Sequence, residues 1–193
     1  MDDSFLIRKY CNEGDGDAAI ELLKQYERPL YQYIWQMLQQ QQDCEDVMQE
    51  TFRKALRALP DYREENHFKS WLFRIGRNEA IDIIRRRRRT IVAEAPEEYL
   101  GGVQDIVSLP GARELIEERE SVQALMRAIA LLPEKEKEVV AMRTQGELPF
   151  KEIAKIIGAP IGTVLARMHA AKKKLKSLLN TELGCLLYTS PSP

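Results

Sequence analysis

Apolar residues recur at helical spacing along most of the chain, and the strict alternation that marks strands is nearly absent. Leu22, Leu23, Tyr26, Leu30, Tyr33, Ile34 and Met37 form one such stripe and predict an amphipathic helix from Asp17 to Leu38. A second helix is expected to start at Asp43, a residue suited to N-capping, and to stop at Leu59-Pro60. Val47, Thr51, Phe52, Ala55, Leu56 and Leu59 would form its buried stripe. Its opposite face is acidic and polar early (Glu45, Asp46, Gln49, Glu50) and basic late (Arg53, Lys54, Arg57). An irregular stretch from Pro60 to Ser70 follows, with Ser70 placed to cap a helix running from Trp71 to Arg89. Pro96, Gly101, Gly102, Pro110 and Gly111 lie among acidic residues and predict a linker over 90–112. Glu114 to Leu132 reads as a helix opening a second domain. The expected fold is all-α: two small helical domains, 1–89 and 113–180, on a flexible acidic linker. The end of the chain, 181–193, closes on Gly184-Cys-Leu-Leu-Tyr-Thr-Ser-Pro-Ser-Pro, unlike anything before it. It is expected to be disordered or non-native and is assigned no function.

Charge sharpens this picture. The net charge of 193 residues is only −1, so the protein is not basic all over and its distribution of charge carries the signal. Residues 72–89 hold seven Arg against Glu79 and Asp82, a local net of +5. Residues 91–121 hold eight carboxylates against Arg113 and Arg119, a local net of −6. A near-neutral chain with positive charge at two helix ends suits an elongated polyanion gripped at two places, and DNA is the obvious candidate. Cys11, Cys44 and Cys185 are widely spaced and form no CxxC, so reduced thiols in a cytoplasm fit better than a zinc site or disulfides. No signal peptide and no apolar run long enough to cross a membrane is present. No cofactor is implied.

The second positive end belongs to a helix-turn-helix pattern, with Ala154, Gly158 and Val164 at the required spacing. Ala lets two helices approach, Gly permits the positive φ of the turn, and Val fills the angle between them. Val164, Met168, Ala171, Leu175 and Leu178 project onto one buried stripe. Thr163, Ala166, His169, Ala170 and Lys173 point away from it, where a recognition helix meets the major groove. Lys172-Lys-Lys174 next to such a helix suits phosphate contacts. An αα-hairpin with no DNA role is the alternative.

On the Arg-rich helix, Arg74, Asn78, Asp82 and Arg85 share one face, and Leu72, Gly76, Ala80 and Ile83 share another. Arg suits phosphates, whereas Asn and Asp can read base edges. Before it lie Tyr62, His67, Phe68 and Trp71 among Arg63 and Lys69, and aromatics among cations suit single-stranded nucleic acid. Core packing is the competing reading for Phe68 and Trp71, and a salt bridge to Arg85 or Arg86 for Asp82. The five-Arg run could also act as a nonspecific tether.

Three segments in order resemble an extracytoplasmic-function sigma factor of bacterial RNA polymerase: Asp46-Val-Met-Gln-Glu-Thr-Phe-Arg-Lys-Ala-Leu, Phe68-Lys-Ser-Trp-Leu-Phe-Arg-Ile-Gly-Arg-Asn-Glu-Ala-Ile-Asp and Leu132-Pro-Glu-Lys-Glu-Lys-Glu-Val-Val, followed by the helix-turn-helix. The resemblance covers roughly residues 5–180. It implies that 1–89 is sigma region two and 113–180 sigma region four. Asp46, Gln49, Glu50 and Phe52 would then bind the β′ clamp helices of core polymerase. Tyr62, Arg63, His67, Lys69, Trp71, Arg74, Asn78, Asp82, Arg85 and Arg86 would recognise and melt the minus-ten element and hold its non-template strand. Thr163, Arg167, His169, Lys172 and Lys173 would read the minus-thirty-five duplex, with region four resting on the β flap. Leu165, Ala166 and Ala170 stand where relatives carry polar or basic residues, so promoter sequence does not transfer. An anti-sigma factor is a further expected partner.

Two other classes compete. An ordinary regulator would dimerise through its N-terminal helices, but the acidic face of Asp46, Gln49 and Glu50 suits a polar partner better than an apolar seam. An enzyme acting on nucleic acid would need a metal cluster, a phosphate loop or a nucleophile–base pair, and no such spacing occurs.

Overall fold

The computed structural model describes residues 2–63, 67–94 and 124–188. Among them every regular element is helical. The N-terminal half comprises α1 (Asp3–Glu13), α2 (Gly16–Leu38), α3 (Gln41–Ala58) and α4 (Phe68–Glu94). After the helical stretch 124–130 (α5) come α6 (Glu134–Thr144), α7 (Phe150–Ile157) and α8 (Ile161–Tyr188).

Helix α1 was not apparent from periodicity, yet it buries Leu6 and Ile7 against α2. Gly14 ends it at φ 68°, and Asp15 caps α2 by accepting from the backbone N–H of Asp17 (3.0 Å) and Ala18 (3.2 Å). The α2 stripe lies in the core as its spacing predicts: Leu22, Leu30, Tyr33 and Ile34 are fully buried.

Two predicted caps are corrected. Helix α3 begins at Gln41, because Gln39 turns left-handed (φ 51°) to end α2 and Gln40 is extended. Asp43 therefore lies within the first turn, where it pairs with Arg87 of α4. Likewise α4 begins at Phe68, not Trp71, because the Phe68 ring is 2% exposed and pulls its turn onto the core. Ser70 is thus buried inside the helix rather than capping it.

The Pro60–Ser70 stretch is also more regular than expected, with Leu59–Asp61 forming a 3-10 turn; residues 64–66 lie outside the described residues. Helix α4 runs on to Glu94, past the expected boundary at Arg89. The rest of the expected linker and the first part of the expected 114–132 helix lie outside the described residues, and α5 ends at residue 130. Helix α8 passes through Gly184 to Tyr188, although the end of the chain was expected to break from helix at 181. One interior Gly weakens a helix by only about 0.5–1 kcal/mol, so it need not stop one. Residues 189–193 lie outside the described residues.

Helices α2, α3 and α4 pack on one another, and α6, α7 and α8 form a second bundle. The bundles also pack together, α6 against α2 and α7 against α4. Phe73 of α4 is fully buried at this seam, and a Cβ on Gly146 would lie 2.8 Å from its ring. Arg77 of α4 donates from Nε to the Glu138 carboxylate of α6 at 2.6 Å.

The helix-turn-helix has the form its spacing predicts. Ala154 and Val164 are buried, and Gly158 turns at φ 66° with open space around its missing Cβ. Only backbone strain then opposes substitution there. Gly158→Ala should destabilise the protein by about 1–2 kcal/mol, measured by urea unfolding; an unchanged midpoint would show that the turn does not need its glycine.

Candidate nucleic-acid interface

The first exposed polar surface lies on α3. Asp46 and Gln49 are exposed and Phe52 is half-buried against the core, while α3 packs on α2 and α4 behind them. Glu50 belongs to the same face but is tied to Arg53, whose guanidinium holds its carboxyl down at about 2, and to Lys54 at 3.5 Å. Lys54 also reaches Glu79 of α4 at 2.6 Å. The basic late half of α3 therefore partly serves the fold.

The second surface is the aromatic corner before α4. Tyr62, Phe68 and Trp71 form a mutual cluster with ring centroids 5.0–5.7 Å apart. Within it the roles separate. Phe68 also meets Tyr26 at 5.5 Å and belongs to the core, as the packing reading held. Trp71 is half-buried and faces a cleft of about 350 Å³. Tyr62, Arg63, His67, Trp71 and Arg74 line that cleft on one side, together with Asp61 and Ser70. Five expected minus-ten residues are thereby brought to one cavity.

The others extend from it. At 100° per residue Trp71, Arg74, Asn78, Asp82, Arg85 and Arg86 form one stripe, about 22 Å long at 1.5 Å per residue. Arg74, Asn78, Asp82, Arg85 and Arg86 are all exposed. Asp82 does form the alternative ion pair, at 3.6 Å to Arg85, but both side chains are more than half exposed and the pair is weak. Lys69 is not on this stripe. It lies on the opposite side of α4 and faces Glu147 at 3.7 Å. The five-Arg run is not a uniform tether either. Arg87 binds the Leu38 carbonyl, Gln40 and Asp43, closing the α2–α3 corner, and Arg88 reaches Glu134 of α6.

Sequence reasoning missed the cleft's far wall. Glu152, Lys155 and Ile156 of α7 form it. The Glu152 carboxylate is 3.9 Å from His67 Nδ1 and 3.0 Å from Lys155 Nζ. No periodicity signals a contact between residues 85 positions apart.

The third surface is α8. Val164, Met168 and Ala171 are buried, with Leu175 and Leu178 partly so, as predicted. His169, Lys172 and Lys173 are exposed, and Thr163 and Arg167 half-exposed. Lys174 points elsewhere, to Glu136 of α6 at 2.6 Å.

Residues 22–90 match the family model described as Sigma-70 region 2, and residues 122–175 that described as Sigma-70, region 4. The RNA polymerase sigma-H factor of Pseudomonas aeruginosa is 31% identical over 173 residues, covering 86% of this chain and 88% of that protein. The ECF RNA polymerase sigma factor SigW of Bacillus subtilis is 29% identical, covering 89% of this chain and 94% of that protein. The chain belongs to the extracytoplasmic-function sigma factors. This sigma factor directs promoter-specific initiation by RNA polymerase and is a regulatory DNA-binding protein. Its fold is shared with the sigma factor RpoE of Bartonella quintana, solved in complex with the anti-sigma factor NepR. That match has a TM-score of 0.70, is 24% identical and covers 85% of this chain and 97% of that one.

The division of the aromatic corner into core and cleft is open to test. Phe68→Ala should destabilise the sigma factor by about 3–5 kcal/mol, and Trp71→Ala by clearly less. Urea unfolding of both variants measures this, and equal losses would place Trp71 in the core.

Proposed function

We propose that the three surfaces divide the work of initiation between them. The α3 face of Asp46, Gln49, Glu50 and Phe52 docks on the β′ clamp helices, because Asp46 and Gln49 are exposed beside the partly exposed Glu50 on a helix whose apolar side is already used. The cleft and the α4 stripe take the melted minus-ten non-template strand. Trp71 and Tyr62 offer stacking surfaces, worth about 1–3 kcal/mol per base. Arg63, Arg74, Arg85 and Arg86 meet phosphates, while Asn78 and Asp82 face base edges. His67 lines the cleft beside them, whereas Lys69, on the opposite side of α4 and facing Glu147, takes no part. Thr163, Arg167, His169, Lys172 and Lys173 contact the minus-thirty-five duplex, and region four rests on the β flap. Residues 1–89, 90–112 and 113–180 act as region two, linker and region four. The protein binds and positions rather than catalyses. Its place is the cytoplasm, where polymerase works, and among the described residues no helix is long and apolar enough to cross a membrane. A held-off state bound to an anti-sigma factor fits its likeness to a sigma factor solved with one.

One observation carries the minus-ten assignment: five cationic and aromatic side chains converge on a single cleft that continues into a polar helical stripe. Two experiments test the division. Asp46→Ala with Glu50→Ala should weaken association with core polymerase roughly tenfold or more while leaving the circular dichroism unchanged; undiminished pull-down of core enzyme would remove α3 from the interface. Asn78→Ala should reduce promoter opening while polymerase binding persists. Permanganate footprinting reads this directly, and normal thymine reactivity in that variant would refute the role given to Asn78.

A further inference from the structure

Helix α8 opens with large apolar side chains that the fold leaves half exposed. Ile161 is 48% exposed and Leu165 45%, on a helix whose inner stripe of Val164, Met168 and Ala171 is already buried. Gly162 and Ala166 are exposed beside them, and a Cβ on Gly162 would meet nothing within 4 Å. Four residues of helix advance about 6 Å and turn about 40° beyond a full circle, so Ile161, Leu165 and His169 follow one another as a ridge. Ala166 and Lys173 lie on the outward flank of that ridge. The side chains exposed within the first six residues of α8 therefore carry no hydrogen-bond donor or acceptor.

Cations border this apolar ridge. Residues 161–180 hold no Asp or Glu, and Lys172 and Lys173 are exposed about two turns beyond Leu165. Lys174 is drawn aside to Glu136 of α6 at 2.6 Å. Such a border suits the phosphates that flank a DNA groove. It disfavours a second copy of this helix as the occupant, because like charges would face each other. Two large apolar side chains also fall far short of the roughly 20–30 residues that a protein partner contributes to a stable interface. In the major groove the apolar group that a base pair offers is the C5-methyl of thymine. A leucine set against guanine or adenine would instead strip their acceptors of water and return no hydrogen bond. Base pairs stack about 3.4 Å apart, so successive ridge residues lie just under two pairs apart.

We infer that region four reads thymine methyl groups: Leu165, supported by Ile161 and Ala166, packs against the C5-methyls of neighbouring T·A pairs in the minus-thirty-five duplex. Lys172 and Lys173 fix the helix there by phosphate contacts. The inference rests on α8 being the helix that enters that duplex. It makes Leu165 a specificity-determining residue and gives a reason for apolar side chains where relatives carry polar or basic ones. Reading has moved from hydrogen bonds to methyl contact. Guanine at those pairs is disfavoured, because no exposed donor in the first six residues stands opposite its O6 and N7.

The test uses holoenzyme, reconstituted from the full chain and core polymerase, to select from randomised duplexes long enough to hold both promoter elements. The selected duplexes should share an upstream element with neighbouring T·A pairs. Replacing only those thymines by deoxyuridine removes the methyls and leaves every hydrogen-bonding edge in place. Fluorescence anisotropy should then show holoenzyme affinity falling about fourfold for each methyl, the value of one buried methylene. Leu165→Ala should lose affinity for the thymine duplex by a similar factor and should no longer distinguish thymine from deoxyuridine. Its urea midpoint should stay near the parent's, because Leu165 is half exposed. Leu165→Arg should move the selected pairs towards G·C, since a guanidinium donates to guanine O6 and N7. Equal affinity for the two duplexes, or an upstream element without thymine, would overturn methyl reading, as would a Leu165→Ala variant that still tells them apart. Lys172→Ala with Lys173→Ala separates that failure from a misplaced α8. This double variant should weaken binding of every selected duplex and flatten its salt dependence. Unchanged affinity and salt slope, or selection of no upstream element, would mean that α8 does not enter the duplex.

Discussion

The structure depends on one close approach, where α2, α3 and α4 meet at Gly76. A Cβ there would lie 3.0 Å from Leu30 Cδ1 and 3.5 Å from Thr51 Oγ1. The absence of a side chain lets α4 sink between its neighbours. Leu72, Gly76 and Ala80 are buried as a result, and the rotation of α4 about its own axis is fixed. Everything displayed on the other face follows from that rotation. Trp71, Arg74, Asn78 and Asp82 face outward because small and apolar residues hold the inner stripe. Thr51 tolerates this burial by donating its hydroxyl to the Val47 carbonyl at 2.6 Å.

The charge of α4 is likewise divided by geometry rather than by residue type. Arg77 and Arg87 point back into the fold and hold the seam and the α2–α3 corner. Arg74, Arg85 and Arg86 lie on the exposed stripe. A block of like charges on a helix would repel itself, and partners on α2, α3 and α6 relieve that repulsion at Arg87 and Arg88. The same helix can then support a core and present a polyanion-binding face.

The two bundles meet through Phe73, packed against Gly146 and against Tyr33 at 5.5 Å between ring centroids. This apolar contact favours docking, while the Tyr33 hydroxyl, buried without a hydrogen-bond partner among the described residues, works against it.

Much of this protein was determined by the sequence alone. The α2 stripe, the α3 stripe, the Leu59-Pro60 stop and the Ala154–Gly158–Val164 turn are local patterns, and helical period and turn chemistry act over a few residues. The exposed faces of α4 and α8 were legible for the same reason, as were the cations and aromatics of the corner before α4. Short α1 was missed because Leu6, Ile7 and Tyr10 make only a brief stripe; Asp43 was misplaced because the left-handed turn at Gln39 starts α3 earlier, and Ser70 because the packing of Phe68 sets the start of α4. Tertiary structure alone decided that Phe68 belongs to the core and Trp71 to a cleft, that Lys69 faces away from its expected partners, and that α7 closes the cleft. These outcomes depend on contacts between residues tens of positions apart. No periodicity encodes which surfaces meet, because buried area and opposed charge accumulate only once the helices are assembled.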